Sequence, residues 1–133
     1  MTTADAGGAG ALDVVVWASG ALAVGSALLA VSHLGVQVPL LSALGPGGSR
    51  VILPAAIAFT VGAALHGAVA FGVARRRAWA WPLGILVAGV TLLGAATPFR
   101  GAGSAIGILL ASLVLGLLLT ATARHSMIGP ARS

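Results

Sequence analysis

The groups in this chain that could do chemistry are few. Its 133 residues hold three histidines, His33, His66 and His125, and two aspartates, Asp5 and Asp13. There is no Glu, Lys, Asn, Cys or Tyr, and Gln37 is the one carboxamide. Hydrolysis or group transfer needs a nucleophile with a base, or a metal site. Serines, threonines and scattered histidines are a poor inventory for either. The chain is therefore expected not to be an enzyme, and no catalytic residue, cofactor or metal-ligand set is assigned to it. Without Cys, disulfides and thiolate metal sites are excluded.

His66 is the group that most invites a functional role. It lies roughly 13 Å along a helix axis from Arg75, inside an otherwise apolar run. An ionisable side chain at that depth in a membrane is a functional candidate by default. No second acidic or basic group is available inside the membrane for a relay, so the expectation is structural. A neutral imidazole would be hydrogen-bonded to a hydroxyl, with Ser26, Thr91 and Ser112 as the available partners. His33 falls at the far end of its own run, about 15 Å higher along the bundle. Metal–ligand bonds are about 2 Å long, so the two cannot share an ion. His125 lies at a third depth.

Small residues supply the other meaningful spacing. Ala58, Gly62, His66 and Ala70 recur every fourth residue, and at a drift of about 40° per step they cover roughly 120° of a helix. Gly103, Gly107 and Ala111 form a second such row, and Ser112, Gly116 and Thr120 a third. Rows of this kind let helix backbones approach closely in lipid, within one molecule or between two.

The elements that carry these residues follow from composition. The chain is 59% hydrophobic and 7% charged, with a mean hydropathy of +1.10. Soluble domains carry about 25% charged residues. The formal charge of +5 comes from seven arginines. They stand at the ends of apolar runs rather than along one solvated face, so nucleic acid is not an expected partner. Four apolar runs predict an all-α fold: a four-helix transmembrane bundle, up-down-up-down, with helices near 14–34, 51–74, 79–97 and 102–123. Each run is roughly 19–24 residues, long enough for a hydrocarbon core of about 30 Å. Pro54 and Pro82 fall in first helical turns, where a missing N–H costs little. Residues 1–12 are expected to be a disordered tail, with Asp13 capping the first helix. The helical domain is expected over 13–125 and a short tail over 126–133. The connection 35–50 is the longest. Its apolar centre is expected on the membrane surface or folded back, before Gly45, Pro46, Gly47 and Gly48 turn the chain. Ala30 to Ser32 resembles a signal-peptide cleavage site, but no Lys or Arg precedes the run.

Arginine placement predicts orientation. Arg75, Arg76, Arg77, Arg124 and Arg132 fall on one side of such a bundle, and Arg50 and Arg100 on the other. Short Arg-rich loops stay cytoplasmic. The triplet thus marks a tight cytoplasmic hairpin, with both termini inside the cell membrane. Trp17, Trp79 and Trp81 fall at that same interface, where indoles settle. Arg75, Arg76 and Arg77 are accordingly read as topogenic, within reach of lipid phosphates.

The stretch RRRAWAWPLG at 75–84, its apolar run, the short Pro-containing loop and a last helix ending in Arg124 resemble uncharacterised small four-helix integral membrane proteins of high-GC bacteria. The resemblance covers roughly residues 14–125 and implies a topology but no activity. Small multidrug exporters carry a membrane-embedded Glu, and fluoride channels of this size a pore Asn; the chain has neither. The expected function is a non-enzymatic structural or interaction subunit. The alternative is a small oligomeric transporter or channel without a charged coupling residue. The expected partners are a bilayer with anionic headgroups and another membrane protein or a second copy.

Overall fold

A computed structural model describes residues 3–44 and 51–129, with side chains described from Gly10 and not over 42–44. Among the described residues there are six helices and no strand. They are α1 (Thr3–His33), α2 (Pro39–Leu44), α3 (Leu53–Ala74), α4 (Ala80–Ala96), α5 (Ala102–Leu118) and α6 (Ala121–Ile128). Two are long and apolar enough to cross a membrane: Gly10–His33 within α1, and α3. The pair α5 and α6 passes the same test together but is bent by 67°. That makes two candidate spans, or three if the bent pair is one. α4 is apolar but only 17 residues long.

The boundaries have local causes. α1 begins at Thr3, where a disordered tail through residue 12 was expected, and Asp13 is interior to the helix rather than its cap. Ala4, Ala6, Ala9 and Ala11 favour helix, and no proline stops it. At the other end Gly35 takes φ +89 and reverses the chain. The connection 35–50 contains the short α2; the Gly-Pro-Gly-Gly turn expected at 45–48 lies outside the described residues. α3 opens with a proline in its first turn. Its far end closes with a pair of backbone bonds, Arg77 N–H to Gly72 O at 2.8 Å and Arg76 N–H to Val73 O at 2.9 Å. This is a Schellman closure, in which the residue after the cap is left-handed. Arg76 holds that place at φ +50.

The last predicted helix, 102–123, is not continuous. It stops at Leu118, and α6 restarts at Ala121, so residues 126–128 are helical rather than tail. Thr120 makes the break. Its backbone is extended (φ −66, ψ 144), and its Oγ1 donates to Leu117 O at 2.7 Å and accepts from Ala123 N–H at 3.3 Å. A threonine cap of this kind competes with helix continuation.

α1 lies along α3 and also touches α5; α4 packs on α5 and on α3; α6 reaches back to α1. The main core joins Leu12, Val15 and Ala18 of α1 to Val69 and Val73 of α3, Val87 and Ala88 of α4, and Val114 and Leu118 of α5, with Ala123 and Met127 of α6 completing it. The core thus gathers toward the end that α6 closes.

Candidate functional site

His66 projects from the middle of α3 and is 2% exposed. Its Nε2 lies 2.9 Å from Oγ1 of Thr91 on α4. Of the three hydroxyls expected as partners, the structure selects this one. Ser26 instead faces Gly62, where an added Cβ would stand 3.7 Å from its Oγ. Ser112 is exposed on the outer side of α5. The imidazole therefore joins α3 to α4 at mid-height by one side-chain bond. His33 is elsewhere: its Nδ1 lies 2.7 Å from Leu29 O, and its ring sits 5.2 Å from that of Phe59. His125 Nδ1 lies 2.8 Å from Ala121 O. Each of these two rings bonds to a carbonyl of its own helix, and that of His33 also meets α3 through Phe59. Among the described residues, no group of three or more His, Asp or Glu side chains gathers as a metal site would.

The small-residue rows divide between inside and outside. Gly107 faces α4, where an added Cβ would lie 3.5 Å from Ala95 Cβ, and Ala111 is fully buried. Gly103 and Gly116 have open space beside them, and Ser112 and Thr120 are exposed. On α3 the row winds from exposed Ala58 through Gly62 to buried His66 and half-buried Ala70.

Three features were not anticipated from spacing. Ser19 of α1 is fully buried, and its Oγ has no hydrogen-bond partner. Among the described glycines, Gly72 and Gly84 have the least room beside them. A Cβ on Gly72 would fall 2.6 Å from Ala80 Cβ, and one on Gly84 would fall 2.6 Å from Leu118 Cδ1. Trp81, expected at the membrane interface, also bonds across the fold. Its indole N–H donates to Leu118 O at 2.8 Å, taking up a carbonyl at the helix break. An i,i+4 row is visible in a sequence, whereas which glycine meets a neighbouring helix depends on how the helices are rotated.

The arginine triplet stands exposed in the turn between α3 and α4. Arg75 Cζ lies 4.9 Å from the Phe71 ring centroid, and Arg124 Cζ lies 5.8 Å from that of Trp81. Guanidinium groups favour such positions over aromatic faces. Trp81 and its Leu118 bond place α6, and so Arg124, at the same end as the triplet. Asp13 of α1 is exposed and makes no ion pair among the described residues. In comparisons with protein-family models, with curated proteins and with solved structures, nothing matches this chain.

Proposed function

We propose that the chain is a non-enzymatic subunit of the cell membrane, a four-helix transmembrane bundle with both termini cytoplasmic, that binds another membrane protein or a second copy of itself. The observation that carries this reading is how the polar and small residues are used. His66 is committed to Thr91, and buried Ser104 accepts the backbone N–H of Arg100 at 2.9 Å. These side chains hold helices rather than face a substrate. The outward side of α5 presents exposed Ser112 and, one turn on, Gly116 with open space beside it. Small residues at such a face permit close backbone approach by another helix. Orientation is supported by the Arg75–Arg77 turn and Arg124 sharing one end.

One observation favours the second reading, a small oligomeric transporter or channel. Ser19 keeps a buried hydroxyl with no partner, and pores can be lined by hydroxyls and carbonyls. Purification from native membranes in mild detergent, with mass spectrometry of what co-migrates, separates the two. A stoichiometric membrane protein partner or a homo-oligomer is expected. A lone monomer that moves a solute across reconstituted liposomes would replace the interaction reading with the transporter.

A further inference from the structure

The end of the molecule formed by the α3–α4 turn, α6 and the first part of α1 concentrates positive charge that no described side chain pairs with. Arg75, Arg76, Arg77 and Arg124 are exposed there, and exposed Asp13 is the carboxylate described in the first part of α1. Among the described residues none of these arginines forms an ion pair.

Two of the four are preorganised. Arg124 lies over the Trp81 ring, and that ring is fixed by the indole bond to Leu118 O. Arg75 lies over Phe71. A guanidinium in cation–π contact with a ring has no acceptor there for its N–H groups, and those groups match phosphate oxygens in pairs. Arg76 adds a second kind of evidence. It occupies the left-handed position of the helix closure, where glycine would relax the backbone, and so projects a cation from a strained site. The surroundings then narrow the ligand. Phe71 and Trp79 are exposed beside these cations. A free phosphate would satisfy the arginines and leave this apolar surface bare, whereas a phosphate carried on acyl chains satisfies both.

We propose that this rim binds the phosphate of an anionic phospholipid, with Arg124 at its centre and the Arg75–Arg77 turn completing it. The proposal rests on the membrane-spanning reading, because only an embedded bundle holds the rim at headgroup depth. It goes beyond topology, since a purely topogenic charge needs no fixed geometry.

The test reconstitutes the full chain into phosphatidylcholine vesicles containing phosphatidylglycerol. Native mass spectrometry of the gently extracted protein then counts the lipids retained. Alkaline carbonate washing comes first: release of the chain from the vesicles would overturn the spanning reading and this site with it. An embedded chain that retains both lipids equally would overturn the site alone. Phosphatidylglycerol is expected to be retained preferentially, and Arg124→Gln should weaken that retention about tenfold, the equivalent of one charge-assisted hydrogen bond. Arg124→Lys should recover only part of it, because an ammonium lacks the planar fork. Arg100→Gln, at the opposite end, should change nothing. Undiminished retention in Arg124→Gln would overturn the proposal, as would full recovery in Arg124→Lys or an equal loss in Arg100→Gln. Displacement of the lipid by inorganic phosphate at equal concentration would assign the site to free phosphate instead. Far-ultraviolet circular dichroism checks that each variant keeps its helices.

Discussion

At Gly72 a single methyl group would be too much. The atom it would meet, Ala80 Cβ at 2.6 Å, is bonded directly to the backbone of α4 and cannot swing away. Gly72→Ala should therefore destabilise the protein by about 1–3 kcal/mol, seen as a lower Tm in detergent; an unchanged Tm would mean that α3 and α4 are not so close. Ser19 should respond in the opposite sense. A buried hydroxyl without a partner costs stability and returns nothing, so Ser19→Ala should leave Tm unchanged or raise it. A clear fall would reveal a partner for Oγ. For His66, Gln preserves a polar bond to Thr91 while Leu leaves the threonine hydroxyl unpaired. His66→Leu should cost more than His66→Gln by about 1–3 kcal/mol, measured by the same melting experiment. Much of this was open to a reader of the sequence. A lone histidine in an apolar run needs a hydroxyl, and three were within reach. Which one answered depended on helix rotation, and so did the fate of Ser19, which no periodicity distinguishes from Ser26.

At the scale of the helices, hydropathy located α3 and α4 to within a residue or two, because prolines and arginines punctuate them. It failed at both ends of the chain. The residues before Gly10 are small and nearly uncharged, which looks like a tail, yet alanines allow helix there. The break at 119–120 lies inside an unbroken apolar run with no proline or glycine at the break itself, so hydropathy passes over it. Its causes are a threonine acting as a cap and a tryptophan thirty-seven positions away that takes up Leu118 O. Thr120→Ala should weaken the start of α6 by about 1 kcal/mol. Amide exchange over Ala121–Ile128 should then speed up while α5 stays protected; equal protection in both forms would show that the cap does not hold α6.

For the whole molecule, the strongest signal in the sequence is the unequal sharing of arginine, and it yields a labelling experiment. Among candidate tags in a chain without native cysteine, Phe99→Cys lies in the exposed α4–α5 turn and Ala78→Cys in the exposed α3–α4 turn. An impermeant thiol reagent should modify the first in intact cells and the second only after permeabilisation; the reverse would invert the orientation. The apolar helices are not equal in reach. Gly10–His33 and α3, at 24 and 22 residues, extend about 33–36 Å, while α4 and α5, at 17 each, extend about 26 Å. One flank of the bundle therefore matches or exceeds a hydrocarbon core of about 30 Å, and the other falls short of it. Lipids beside the short flank must compress to meet it, and those beside the tall flank need not. An embedded molecule of this shape is a wedge in thickness. It favours thinner membranes on one side, and it gives two copies a reason to turn their short flanks toward each other that owes nothing to any particular pair of side chains.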